Sequence, residues 1–280
     1  MADIAVITGT THGIGRVTAR ELAGAGYAVV MLCRDLRAAQ AVREDILQRV
    51  ADASIQAIQC DLASFASVRA AAALVRERFG RIRLFINNAG ITTLQHQLSV
   101  DGFELTFATN HLGPFLLTEL LRDRMTAPGR IINVASRVHL RGGLDLARVR
   151  SVTGRFNPLA AYAQSKLANV LHAFALARRL AGTAVTVNCL HPGVVASNLL
   201  PSWLRVIKPL ISPQMFDVER GAQTTLYLAL ADAVMHDSGK YFDEFQTVRP
   251  ALAAAYDVAL QEALWEASMQ WTGLALALVR

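Results

Sequence analysis

The chain has 280 residues, a formal net charge of +6, 53% hydrophobic residues and 18% charged residues. That much apolar material builds a large core and excludes a disordered chain. Its arginines are scattered among acids, which argues against a nucleic-acid surface. Cys33, Cys60 and Cys189 each end an apolar run without any Cys-x-x-Cys pair, so buried free thiols in a reducing cytoplasm are expected. The seven histidines show no ligand spacing, and no metal site is expected.

Met1-Ala2-Asp3 leads straight into an apolar strand at 3–8, leaving no room for a signal peptide. The strand runs into Thr8-Gly9-Thr10-Thr11-His12-Gly13-Ile14-Gly15 and then a helix at 14–25. Strand, glycine-rich turn and helix make a phosphate site: the glycines let backbone N–H groups approach, and the helix start adds partial positive charge. Gly9, Thr11, His12, Gly13, Ile14 and Gly15 are its candidate residues. A second strand, 27–33, ends at Cys33 and is followed by Arg34, Asp35 and a helix at 36–51. A third, 55–60, precedes Asp61-Leu62 and a helix at 65–79. The fourth, 82–87, ends in Asn87-Asn88-Ala89-Gly90, followed by a long helical stretch at 98–124 that contains Asn110.

The fifth strand, 129–135, leads to Ser136 and a longer segment, 137–157, read as an insert. A helix at 158–181 carries Tyr162 and Lys166. Strand 183–190 ends before Pro192-Gly193, and 193–217, rich in proline and apolar residues, fits a surface excursion packed on the sheet edge or a substrate lid. A helix at 218–231 and a weak strand near 239–243 follow. The apolar run 272–279 is far shorter than the roughly 20 residues that span a bilayer. It is expected to pack on the body or on a partner subunit, and membrane attachment has little support. The alternation of strand and helix argues for one α/β domain over 1–280, a doubly wound parallel sheet with helices on both faces.

Tyr162 and Lys166 stand four residues apart, which on a helix places a phenol and an ammonium on one face. A nearby cation favours phenolate, so Tyr162 is expected to exchange a proton nearer neutrality than an ordinary tyrosine. Of 28 basic residues only Lys166, Lys208 and Lys240 are lysines, and a compact ammonium at 166 is not interchangeable with a guanidinium.

These motifs together resemble the short-chain dehydrogenase/reductase family over roughly residues 2–245: Thr8-Gly-x-x-x-Gly13-x-Gly15, Asn87-Asn88-Ala89-Gly90, Asn110, Ser136, Tyr162-x-x-x-Lys166, and Pro192-Gly193 with Ser197. Asn110-His-Leu-Gly, Tyr162-Ala-Gln-Ser-Lys-Leu-Ala-Asn, His191-Pro-Gly-Val-Val and Leu264-Trp265-Glu266-Ala267-Ser268 look like its retinol dehydrogenase and WW-domain oxidoreductase branch. The resemblance implies a Rossmann-type fold and hydride transfer between nicotinamide and the carbonyl or alcohol of a small apolar substrate: a ketone, aldehyde, steroid, retinoid or aryl alcohol. It implies Tyr162 as general acid or base, Lys166 as its electrostatic partner and ribose ligand, Ser136 as the group holding the substrate oxygen, and Asn110 as the anchor of a water. Asp61 and Leu62 are expected at the adenine, and Asn87, Ala89 and Gly90 on the ribose side. Pro192, Gly193, Val195 and Ser197 are expected at the carboxamide, with Ser197 where the family usually has Thr. His111 and His191 read as framework.

At the end of the second strand an acid binds the ribose hydroxyls of NAD, or an arginine accepts the 2′-phosphate of NADP. Cys33 fills the acid position and Arg34 follows, which favours NADP(H); Asp35 is the argument for NAD(H). The 158–181 helix carries small residues, Ala163, Ala173 and Ala177, on a second side, which suits pairing across a two-fold axis in a homodimer or homotetramer. Two other functions fit the scaffold, because fold does not fix function: a catalytically silent cofactor sensor, and an epimerase or dehydratase.

Overall fold

The computed structural model describes residues 2–150, 155–195 and 216–274. Seven strands form one parallel sheet: β1 (Ile4–Thr8), β2 (Ala28–Cys33), β3 (Ile55–Gln59), β4 (Ile82–Asn87), β5 (Met125–Val134), β6 (Val185–Leu190) and β7 (Tyr241–Phe242), in the order β3-β2-β1-β4-β5-β6-β7. The order reverses between β1 and β4, and in such sheets the crevice beyond the carboxyl ends of those strands receives the ligand.

The described helices are α1 (Gly13–Gly24), α2 (Leu36–Arg49), α3 (Phe65–Arg78), α4 (Leu105–Phe107), α5 (Gly113–Leu121), α6 (Pro158–Arg179), α7 (Val218–Leu230) and α8 (Val258–Trp271). They divide between the two faces because strand side chains alternate. Val6 and Phe85 enter a core with α3, α5, α6 and α8, whereas Ala5, Ile7 and Leu84 enter a second with α1, α2 and α7. Among the described residues no helix is long and apolar enough to cross a membrane.

Three expectations are corrected. The helix read from 98 begins only at Leu105. Gly102, at φ +79°, turns the chain, and the Glu104 carboxylate accepts from the Thr106 and Phe107 N–H groups at 2.9 and 2.7 Å. The same stretch then passes through a π-turn, Ala108–Leu112, before α5. Helix α8 extends the regular structure beyond the last strand expected from the sequence. Asp257 caps it by accepting from Ala259 and Leu260, and apolar residues nearly all round it blur the helical period.

The third correction concerns α6. Ala163 and Ala173, read as available to a second copy, are buried inside the chain. The 3-10 segment Arg137–Arg141 and α8 both pack along α6. Helix α8 is fastened there by Glu262 against Arg178 and Arg179, by Arg179 at 3.9 Å over the Trp265 ring, and by Ser268 Oγ at 2.9 Å from His111 Nε2. Part of the 137–157 insert therefore packs on α6 at Ala163 and Gln164, next to Tyr162. Of the stretch read as a lid, 196–215 lies outside the described residues, as does 275–279 of the C-terminal apolar run.

Candidate active site

The loop after β1 and the loop after β4 are tied directly to each other. Thr8 Oγ1 accepts from the N–H groups of Asn88 and Ala89, both at 3.0 Å, and Asn88 Nδ2 donates to the carbonyls of Thr8 and Gly9 at 2.9 and 3.0 Å. This close approach dictates glycine: a Cβ on Gly9, whose φ is +70°, would stand 2.8 Å from Ala89 Cα. A Cβ on Gly15 would overlap the Gly9 carbonyl and the Asn88 amide. Beyond the loop, α1 starts at Gly13 with no side-chain cap and no acid in its first turn. Its first N–H groups and dipole thus face the crevice unneutralised, as an anion requires. His12 is exposed, with its Nδ1 2.9 Å from Thr11 Oγ1. Thr11, His12, Gly13 and Ile14 all lie at this mouth. The cradle fits a pyrophosphate.

At the end of β2, Cys33 is buried with Sγ 2.9 Å from Thr10 Oγ1, and burial pushes its thiol up. Asp35 is engaged elsewhere: it is the N-cap of α2, accepting from Arg37 N at 2.9 Å and Ala38 N at 3.1 Å. Arg34 is exposed and makes no ion pair among the described residues. Past β3, Asp61 Oδ1 accepts from Ala63 N at 3.0 Å, and buried Leu62 lies against Gly113 so closely that a Cβ there would strike the Leu62 carbonyl.

In the turn that ends β4, Asn88 does most of the positioning. Asn88 holds both loops together, as above. The Asn87 amide instead turns into the core, with Nδ2 donating to Thr118 Oγ1 at 3.0 Å and Asn133 Oδ1 at 2.9 Å. The Asn87 side chain thus braces β4 against β5 and α5, and its backbone is what remains at the crevice beside Ala89 and Gly90. The signal for Asn88 was present in the sequence: strand side chains alternate, so when one asparagine faces the core its neighbour faces the crevice.

Ser136, Tyr162, Lys166 and Asn110 converge at the carboxyl ends of β4 and β5. Ser136 Oγ accepts from Val138 N at 3.3 Å, which leaves its hydrogen to donate toward the crevice. Lys166 is buried on α6, and Nζ donates to the Val134 carbonyl at 2.9 Å. Gly90 separates it from Asn110: a Cβ on Gly90 would be 3.2 Å from Lys166 Nζ and 3.4 Å from Asn110 Oδ1. Asn110 lies in the π-turn, whose extra residue turns its amide toward β4. There Oδ1 accepts from Ile91 N at 2.7 Å, while Nδ2 donates to the Ile91 carbonyl at 2.9 Å and to Ser165 Oγ at 3.0 Å. Ser165 in turn donates to the Tyr162 carbonyl at 2.8 Å, an additional link into the site helix.

The expected drop in the Tyr162 pKa is corrected. Burial pushes the phenol up to about 12, and the Ser136 hydrogen bond only partly opposes it. The Lys166 ammonium is bonded to the Val134 carbonyl and lies 5.7 Å from the Tyr162 ring centre. Burial also pulls Lys166 itself down to about 8. A low-dielectric pocket disfavours both charged forms at once.

Pro192, Gly193 and Val195 follow β6. Gly193 has φ +87°, and a Cβ there would stand 2.6 Å from the Phe216 ring. Val195 bridges Phe216 and packs at Gly221, which lets α7 approach Ile14. Ser197 lies outside the described residues. His111 and His191 are buried, and desolvation lowers both rings, His191 to about 4.

The chain matches the short chain dehydrogenase family model over residues 3–205. It is 39% identical to retinol dehydrogenase 13 of Homo sapiens over 285 residues, which is 98% of this chain and 86% of that protein. A crystal structure of an uncharacterized protein from Mycobacterium Paratuberculosis superposes with a TM-score of 0.79 at 34% identity, covering 97% of this chain and 93% of the other. A blue fluorescent protein from a metagenomic library, solved with NADPH, gives a TM-score of 0.71 at 27% identity, covering 86% and 95%. With its parallel sheet, its glycine cradle and these likenesses, the chain belongs to the short-chain dehydrogenase family and is an oxidoreductase that uses a nicotinamide dinucleotide.

Proposed function

We propose that this oxidoreductase uses NADP(H) and interconverts a carbonyl and a primary or secondary alcohol on a small apolar molecule. The observation that carries the cofactor choice is at the end of β2. Asp35 spends one carboxylate oxygen on capping α2, so the acid that would favour NAD is committed to the fold. Arg34 is exposed beside it with no protein partner among the described residues, a free fork of donors for a 2′-phosphate. The NADPH in the metagenomic relative is in keeping with this choice.

The cofactor would supply or accept the hydride; the chain supplies everything else. The glycine cradle and the start of α1 would take the pyrophosphate. Ser136 would bind the substrate oxygen through its hydroxyl and stabilise charge developing there. Tyr162 would pass a proton to or from that oxygen. At neutral pH a phenol raised to about 12 is protonated, so reduction is the direction for which Tyr162 is already in the required state. An apolar substrate accords with the retinol dehydrogenase relatives and with the Phe216–Phe245 ring pair, 6.3 Å apart, beside Gly193. The three buried free thiols suit a reducing cytoplasm. A homodimer or homotetramer would have to use a surface other than the α6 faces that α8 and the 137–141 segment occupy.

The test is a pair of titrations. NADPH is expected to bind more tightly than NADH, and Arg34→Ala to shrink the difference by about 1.5–3 kcal/mol, the scale of a charge-assisted contact. Equal affinities in the unmutated protein would overturn the NADP(H) reading and point to Asp35 leaving its cap.

A further inference from the structure

The residue immediately supporting Ser136 is His139, and nothing in the proposed chemistry uses it. His139 has no exposed surface. It lies in the 3-10 segment that follows β5, and it binds the backbone of Ser136 twice. Its N–H donates to the Ser136 carbonyl at 3.1 Å, and its ring Nδ1 meets the same carbonyl at 2.7 Å. On the other side, Nε2 lies 3.3 Å from the backbone N–H of Leu252. A carbonyl can only accept and an N–H can only donate, so these two contacts assign the tautomer: hydrogen on Nδ1, lone pair on Nε2. The neutral ring bridges Ser136 to the segment preceding α8. Burial, which lowers the imidazole below its ordinary pKa, keeps it in that neutral form.

Two packing contacts keep this bridge from swinging. The His139 ring stands edge-on to Tyr241 of β7 with centroids 4.7 Å apart. One turn on, Gly142 donates to the His139 carbonyl at 2.9 Å, and a Cβ there would sit 2.8 Å from the carbonyl of Ala163, the residue next to Tyr162. The segment is thus wedged between the sheet and the backbone of the site helix. A plain core histidine filling a gap would satisfy burial; it would not need both nitrogens spent in fixed senses, with one of them on the serine that faces the substrate.

We propose that His139 is a positioning residue for Ser136: by donating from Nδ1 to the Ser136 carbonyl while accepting from Leu252, it fixes the serine backbone so that Oγ meets the substrate oxygen and the Tyr162 phenol. This rests on the proposed role of Ser136. The consequence is geometric. Losing the Nδ1 donor lets the 3-10 turn relax and Oγ drift, and small displacements of a group that stabilises developing charge are costly. Because only that group is disturbed, the loss falls on kcat, with NADPH affinity unchanged.

Two polar replacements separate the two halves of the bridge. His139→Asn keeps an amide donor at the Nδ1 position and gives up the partner of Leu252. His139→Gln reaches the Nε2 position and gives up the donor to Ser136. With NADPH and a panel of apolar aldehydes and ketones, Gln is expected to lower kcat by roughly tenfold or more and Asn by less than about threefold, both with unchanged NADPH affinity. In a Ser136→Ala background the Gln change is expected to cost almost nothing further, because the group it positions is gone. Asn falling as far as Gln, or a Gln effect that multiplies with Ser136→Ala, would overturn the role of His139. A Ser136→Ala enzyme with undiminished kcat would instead overturn the role of Ser136, and the positioning proposal with it.

Discussion

Tyr162→Phe is expected to lower ketone reduction by roughly 10²–10⁴-fold while NADPH binding stays within about twofold. The substitution keeps the ring, and with it the packing at the start of α6, and removes only the ionisable hydroxyl. The cradle that would hold the cofactor is built from Gly9, Gly15, Asn88 and the start of α1, none of which changes. The proton for the substrate oxygen must then come from water. With the phenol raised to about 12, the unmutated enzyme is expected to reduce ketones at a rate that changes little through neutral pH, since Tyr162 stays protonated there. Near-normal turnover by the Phe variant, measured by consumption of NADPH, would remove Tyr162 from the chemistry.

Lys166→Met is expected to abolish turnover and to stabilise the protein at neutral pH, a pairing that separates a functional lysine from a structural one. Burial holds Lys166 near 8 where an unfolded lysine has 10.5. Keeping it charged below that pH therefore costs roughly 3 kcal/mol at about 1.4 kcal/mol per pH unit. Methionine removes that cost, and losing the bond to the Val134 carbonyl returns about 1 kcal/mol of it. A net gain of about 2 kcal/mol remains, visible as a raised denaturation midpoint. Its pH dependence has a definite sign. Between about 8 and 10.5 the unfolded chain holds a proton on Lys166 that the folded chain has released. Stability of the unmutated protein therefore rises with pH across that window, and the advantage of Met shrinks. An inactive Met variant that is also destabilised at neutral pH would show that Lys166 serves the fold.

The sheet was legible because its strands are short apolar runs separated by amphipathic helices, and the loop after β1 because only glycine suits its close approach to Ala89. Legibility ended where tertiary contacts decide. The late start of α4 depends on the Glu104 carboxylate reaching back to two N–H groups. The π-turn at Asn110 costs a helix its regular bonds and leaves no periodic trace in the sequence. Apolar residues on two sides of α6 suggest an outer interface, yet α8 and the 137–141 segment meet those sides within the chain. The Tyr162–Lys166 spacing places the two groups near each other but does not give the direction of the shift: i, i+4 spacing reports proximity, whereas burial depth, set by the whole fold, controls the phenol.

Hydride transfer between NADPH and an apolar carbonyl leaves an isotopic mark on the product. The most direct test supplies NADPH carrying deuterium at the transferable position on C4, together with the ketone and aldehyde panel, and examines the alcohol by mass spectrometry. An alcohol with one deuterium on the carbinol carbon is expected from the unmutated protein and is expected to be nearly absent with Tyr162→Phe. Tight NADPH binding with no labelled alcohol from any member of the panel would contradict hydride transfer and favour a cofactor-sensing protein.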